Sequence, residues 1–438
     1  MNKWMSAPFW LAGIQWLFYL FANTVVIPLS VGAAFGLSPD TMASVVNTTF
    51  IVTGAASLLQ ASFGHRFALM EGPAGLWWGF MLSLAASAPA MGMTLSEIGG
   101  ALSLGILAAG IAQGLLTALN FGELLKKAFT PIVMFVYLFL LAAQLVMTFF
   151  KSMTGYDALG RIDLPVTALS AAIALLVALI GIKGRGTLGN FSILIGMACG
   201  WIAYRLLFPG ETDTAAEATG SILPILFPLG PPRFEFGVFA AAIMTGLINM
   251  TNTIAAIGQA DQLYGTKSPK KHYSRSFYLT SLYTSVSGLL GLVPYGPYSS
   301  SIGFLESTRV LDRSALILGG ALFMTLGFIP ALGAFFTSMP VSVGGAVLFV
   351  VYFQLFGSAF RGLKGYTFNS KTIYRIAAPS LLGLCILNLP ADAFLDFPGY
   401  VRPVIGNGLL MGVTLAMVLE AAIDWPKYDQ PDKQAGVK

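Results

Sequence analysis

Glu71-Gly72-Pro73-Ala74-Gly75-Leu76-Trp77-Trp78-Gly79 interrupts one apolar run, and Tyr295-Gly296-Pro297-Tyr298-Ser299-Ser300-Ser301-Ile302-Gly303 interrupts another at a matching place in the second half of the chain. In lipid, a non-helical backbone is tolerated only where protein or a water-filled cavity surrounds it. Paired Gly/Pro-interrupted segments in the two halves of a chain point to a transporter's binding site. Kinked spans are the plainer reading, but two matched breaks are harder to explain that way than one.

The sequence around the breaks is that of a polytopic membrane protein. The chain is 56% hydrophobic and 10% charged, with a mean hydropathy of +0.77. A soluble domain carries about 25% charged residues. Apolar windows of about 20 residues, enough to cross a bilayer as helix, follow one another. Candidate spans fall near 9–29, 42–63, 73–88, 98–119, 129–150, 164–182, 188–207, 237–258, 275–293, 300–307, 314–333, 339–357, 373–389 and 403–423, fourteen in all. The third and tenth are too short to cross alone and must be completed by the broken segments. The expected fold is an all-α integral membrane protein with half-helices and short extended segments in spans 3 and 10. Residues 1–8 run into the first span without a convincing cleavage site and read as retained.

Basic residues set the orientation. With the N-terminus inside, one side collects Arg66, Lys126, Lys127, Lys183, Arg185, Lys267, Lys270, Lys271 and Arg275, then the basic residues between spans 10 and 11 and between spans 12 and 13. The other side holds Lys151, Arg161, Arg205, Arg233 and Arg402. This satisfies the positive-inside rule and places both termini in the cytoplasm. The net charge of +5 reflects that topology. It is spread over many short loops, so the expected partner is the lipid bilayer and not nucleic acid.

The hydrophilic stretch 208–236 divides the chain into repeats 1–207 and 237–424, with a cytoplasmic tail at 425–438. Seven spans per half reverse direction on repetition, so the halves are expected to be inverted repeats. Asn23-Thr24 and Asn252-Thr253 lie 229 residues apart, and the same offset carries Glu71 to Ser300 and Pro73 to Ile302. Helix N-termini expose unpaired N–H groups and partial positive charge. Pro73 suits a first helical turn, and Ser300 or Ser301 suits an N-cap. Both helix starts would then face the midplane, with the extended residues before them free to pair with a planar polar ligand.

Ser300-Ser301-Ile302-Gly303-Phe304-Leu305-Glu306-Ser307-Thr308-Arg309 resembles the signature of the nucleobase/ascorbate transporter family, also called nucleobase:cation symporter-2. That signature is Gln/Glu/Pro, Asn, any residue, Gly, four of any, Thr, then Arg/Lys/Gly. Gly303, Thr308 and Arg309 match, and Ser300 and Ser301 do not. The stretch from Gln15-Trp16 to Ile27-Pro28 resembles the family's Gln-His motif, with Trp16 where His is usual. The likeness is strongest to the bacterial uracil/xanthine or purine permease branch. It implies two inverted seven-span repeats, with core spans 1–4 and 8–11 and gate spans 5–7 and 12–14. It also implies uptake of a nucleobase with a proton by alternating access, and a homodimer.

The departures from the family matter. Its acid in span 8 falls on Asn252, the residue four further on is Ala256, and the acid or amide opening span 10 falls on Ser300. Asn252 offers an amide donor and acceptor to a base edge. Its alternative role is a helix–helix hydrogen bond. Glu71 is the acid expected near the midplane, where ionisable groups are costly and usually functional. It is expected to bind substrate and to couple a proton, the alternative being a carboxylate that caps the third helix. Trp77 or Trp16 would stack on the base, the alternative being packing. The expected substrate contacts are thus Glu71, Gly72, Ala74, Gly75, Trp77, Asn252, Tyr298, Ser299, Ser300, Ser301 and Trp16. Neither a cofactor nor a metal is implied. The chain's two histidines, His65 and His272, fall in polar loops as solvated or headgroup-facing groups, and no metal-ligand spacing, nucleophile elbow or phosphate loop points to an enzyme. An anion transporter of the same inverted-repeat fold, using the paired helix N-termini, is the alternative function.

Overall fold

Polar caps punctuate the apolar chain. Ser38, Thr94, Thr130, Asp163, Asn369 and Asn407 each accept a backbone N–H from the first turn of the helix they precede. These side chains satisfy donors that the helix itself leaves unpaired. Thr94 and Glu97 form a reciprocal capping box. The computed structural model describes residues 7–88, 91–119, 130–155, 161–184, 192–209, 224–337, 339–398 and 401–425. Residues 210–223 of the expected linker 208–236, nearly all of the tail 425–438, and Lys126, Lys127 and Arg185 lie outside the described residues.

The first half contains α1 (Ala7–Thr24), α2 (Val26–Ala34), α3 (Pro39–Ser62), β1 (Glu71–Pro73), α4 (Gly75–Ser87), α5 (Leu95–Ala118), α6 (Pro131–Thr154), α7 (Leu164–Lys183) and α8 (Ser192–Leu207). The second contains α9 (Phe236–Tyr264), α10 (Lys270–Leu290), β2 (Tyr295–Pro297), α11 (Ser300–Thr308), α12 (Arg313–Leu326), α13 (Pro330–Thr337), α14 (Val341–Val351), α15 (Phe353–Gly362), α16 (Ser370–Asn388), α17 (Arg402–Ile405) and α18 (Gly408–Ala422). Among the described residues, six helical stretches are long and apolar enough to cross a membrane: Pro8–Ala34, Pro39–Ser62, Leu95–Ala118, Pro131–Thr154, Leu164–Lys183 and Phe236–Tyr264. The expected span 314–333 is divided, with α12 ending at Leu326 and α13 starting at Pro330.

The helices pack in two sets. In one, α5 lies against α9 and α10, and α12 lies against α1 and α3. In the other, α6 lies against α14, α15, α16 and α18, while α7 and α8 lie against α14. Small residues allow the closest approaches. A Cβ on Gly54 of α3 would stand 2.5 Å from the Gly320 carbonyl oxygen of α12. In the second set, Arg375 of α16 donates Nε to Glu420 Oε1 and Nη2 to Glu420 Oε2, both at 2.9 Å, and both side chains are buried.

The two breaks pair with each other. β1 and β2 are antiparallel, with Glu71 opposite Pro297, Gly72 opposite Gly296, and Pro73 opposite Tyr295. Ala74 N donates to Pro294 O at 2.8 Å, and Tyr298 N donates to Met70 O at 2.9 Å, which extends the ladder at both ends. The backbone groups expected to wait for a ligand thus largely satisfy one another, as buried N–H and C=O groups must. Three other expectations change. Pro73 ends a strand and is not in a first helical turn, since α4 begins at Gly75 with Ala74 extended before it. Ser300 opens α11, and the residue before it, Ser299, makes no side-chain cap bond. Glu71 stands opposite Pro297, and the strand equivalent to its own begins at Tyr295, not Ser300.

Candidate functional site

The starts of α4 and α11 come together through the strand pair. Asn252 of α9 braces it, donating Nδ2 to Pro297 O at 3.1 Å, while Asn249 donates Nδ2 to Tyr295 O at 2.8 Å. The two amides are one helical turn apart and therefore share a face of α9. Asn249 is buried, and its Oδ1 has no hydrogen-bond partner. Sequence reading missed Asn249, although a second amide three residues before Asn252 in an apolar span was a readable sign.

Tyr298 packs its ring over Gly72, where a Cβ would stand 2.9 Å from the ring carbon Cε2. Its hydroxyl donates to Pro73 O at 2.7 Å. Ser300 Oγ lies 2.7 Å from Tyr19 OH of α1, and Ser301 Oγ accepts from Met70 N at 3.1 Å. Ser299 is half-buried. Gly75 faces the second helix set: a Cβ there would be 3.6 Å from Leu145 and 3.9 Å from Leu141 and Tyr352. Tyr19, Asn252 and Ser300 therefore bring hydroxyl and amide groups, all uncharged, to the paired breaks, and Gly75 carries the start of α4 against the second helix set. Tyr19 and Tyr352 carried no sequence signal, because only the packing brings them there.

The two tryptophans sit otherwise. Trp16 and Trp77 are both fully buried, and neither indole N–H has a partner. Trp16 is wedged edge-on against Tyr19 and Phe304, at centroid distances of 5.3 and 4.6 Å. Trp77 meets Phe80 edge-on and lies against Gly246 of α9. In this conformation both rings are packing residues.

Glu71 is fully buried, and its carboxyl is turned toward α3 and α10, not toward Asn252 or Ser300. Thr280 Oγ1 donates to Glu71 Oε1 at 2.9 Å, and Glu71 Oε2 has no partner. Ser57 Oγ clamps its backbone, accepting from Glu71 N and donating to Glu71 O at 3.0 Å. The carboxyl does not cap α4, whose N-cap Ala74 has no side-chain bond. The capping alternative is therefore not realised, and the carboxyl lies apart from the Asn252 and Ser300 groups. Strand alternation is the reason: Gly72 and Glu71 face opposite sides.

His65 is fully buried, not solvated, and accepts from Phe67 N through Nδ1 at 3.1 Å. Burial, and then the neighbouring His272 imidazole, push it down to about 3. His272 is half-buried and lowered by burial first, then by the guanidinium groups of Arg66 and Arg275.

A cavity of about 1120 Å³ separates α4 from α6 and α16, with Ser30, Gln144, Thr148, Lys151, Asn388 and Asn407 in its wall. Two bonds beside it tie the helix sets to α4. Gln144 Nε2 donates to Gly79 O at 3.1 Å, and Trp78 Nε1 donates to Ser30 Oγ at 2.8 Å.

Residues 9–391 match the profile of the Permease family, the nucleobase/ascorbate transporters. The chain belongs to this family. It is 29% identical to "Putative purine permease YwdJ" of Bacillus subtilis (strain 168) over 95% of this chain and 96% of that protein. It is 23% identical to uric acid permease PucK of the same organism, over 93% and 94%. Among solved structures, the transmembrane domain of the cyanobacterial bicarbonate transporter BicA superposes with a TM-score of 0.64 at 13% identity, covering 95% of this chain and 98% of that one. The last likeness concerns fold alone. Family membership makes this chain a multi-pass membrane permease and not an enzyme.

Proposed function

We propose that this permease carries a nucleobase into the cell across the cytoplasmic membrane, a purine such as xanthine or guanine, or uracil, by proton symport and alternating access. The observation that carries the reading is the uncharged set of hydrogen-bonding groups at the paired starts of α4 and α11. A planar neutral base offers donors and acceptors on its edge, and no charge has to be met. With Nδ2 held by Pro297 O, Asn252 keeps Oδ1 to accept a base N–H. The first helix set serves as the core domain and the second as the gate, in fourteen spans built as two inverted repeats with cytoplasmic termini. The large cavity is the approach to α4. Substrate contacts come from Asn252, Ser299, Ser300, Tyr298 and Gly75, and the active form is a homodimer.

Relatives named for purines and uric acid favour this reading over an anion transporter. The test is uptake of labelled xanthine, guanine, urate and uracil in cells lacking other base permeases, with competition by sulfate, bicarbonate and ascorbate. Saturable uptake blocked only by bases is expected. Uptake blocked by bicarbonate or sulfate and indifferent to bases would overturn it.

A further inference from the structure

Buried polar atoms without a partner gather along one seam, between α3 and α10. They include Glu71 Oε2, Gln60 Oε1, Ser276 Oγ and Tyr283 OH, and at one end His65 Nε2 and His272 Nδ1. Such atoms are rare in native interiors, and each asks for an explanation. Here three of them line one face of a single helix. His272, Ser276, Thr280 and Tyr283 recur every three or four residues and so occupy one face of α10. Gln60 of α3 faces them, donating Nε2 to Ser276 O and to Thr280 Oγ1, both at 3.1 Å. Thr280 in turn donates to Glu71 Oε1. Tyr295, whose hydroxyl lies 3.1 Å from Thr53 Oγ1, and Tyr283 close the seam beyond Glu71.

We propose that this seam is a proton path joining Glu71 to the end of the molecule that carries His272, separate from the base site. The inference deepens the proton-coupled permease reading and rests on it. The carboxyl that the sequence marks for coupling touches none of the groups assigned to the base. Its contacts run instead along α10 toward a half-buried imidazole. In the transfer, Glu71 releases the proton from its carboxyl oxygen and keeps the electron pair as carboxylate. The Thr280 and Ser276 hydroxyls, with water across the one-turn gaps, each take up one proton and pass one on. His272 accepts it on the buried Nδ1, and the imidazolium releases the proton of its other ring nitrogen, Nε2, to the medium. The charged and titratable groups around that exit are His65, Arg66, Asp261, Arg275 and Arg313. Their excess of positive charge favours release over retention. Tyr283 and Tyr295 are the titratable groups facing Glu71 itself.

The test uses the full chain in proteoliposomes with Thr280→Val and Ser276→Ala, neither of which touches the base site. Accumulation of labelled base driven by an imposed proton gradient should fall about tenfold or more, while base-for-base counterflow, which needs no net proton movement, stays within about twofold. Unchanged accumulation in both variants overturns the path, as does counterflow that falls in step with accumulation. A second readout needs no substrate. The infrared carboxyl band lost in Glu71→Gln reports hydrogen–deuterium exchange at Glu71, which should be slowed in Thr280→Val. Equal exchange rates in wild type and Thr280→Val overturn the path even if no base is carried. Absent counterflow in wild type with slowed exchange in the variant sinks the base reading alone.

Discussion

At the residue scale, Asn252 and His65 make separate claims. Asn252 holds β2 with one end of its amide, so Asn252→Ala removes a strand brace together with the base contact proposed for the other end. A lost hydrogen bond at a recognition site costs about 1–3 kcal/mol, hence a rise in KM of roughly five- to a hundredfold. Uptake kinetics measure it, and an unchanged KM removes Asn252 from the site. His65 carries a pH prediction. Its folded-state value, about 3, lies below the ordinary 6.5. Above about pH 6.5 the imidazole is neutral in both states and its contribution is complete. As pH falls from about 6.5 toward 3, the unfolded chain takes up a proton that the folded chain refuses, and stability drops. By about pH 5 the loss approaches ~2 kcal/mol. Melting of the detergent-solubilised protein at about pH 7.5 and 5 should show a larger fall for wild type than for His65→Gln. His65 was misjudged from sequence because a loop residue beside Arg66 looks exposed, and only the packing of α10 against the end of α3 buries it.

At the scale of elements, the paired breaks hold the site together. Gly72 sits at the centre of the strand pair, where a Cβ would press on Met70 at 2.6 Å and on the Tyr298 ring. Gly72→Val should displace Tyr298 and cut uptake by about tenfold or more with the protein still folded, read as uptake per molecule in the membrane. The breaks were legible as breaks because Gly and Pro in apolar runs have few other uses. Their pairing and register were not legible, since antiparallel pairing joins Glu71 to Pro297 while an end-to-end offset joins it to Ser300. Arg309 shows the reverse case. It ends α11 in the left-handed region with φ of 56°, which explains physically why Gly is an alternative at that signature position.

At the scale of the molecule, the alternating access proposed above requires α4 to move against α6. A disulfide between Gly79→Cys and Gln144→Cys, in a chain without Cys199 and Cys385, should arrest uptake until reductant restores it, with each single variant as control. Uptake that survives the cross-link would argue against relative motion there. The buried Arg375–Glu420 pair belongs to the same scale, because it ties α16 to α18. Glu420→Ala strands a buried guanidinium and should cost about 3–5 kcal/mol, seen as loss of folded protein in detergent. By itself, the sequence determined the membrane class, the apolar helical stretches, the two interruptions and the family, because hydropathy, Gly/Pro placement and motif spacing are local properties. Tertiary structure alone decided that the interruptions pair with each other, that Trp16 and Trp77 are buried, and that the Glu71 carboxyl turns to α10. Those outcomes depend on which faces of distant helices meet, and on the alternation that sends neighbouring strand residues to opposite sides.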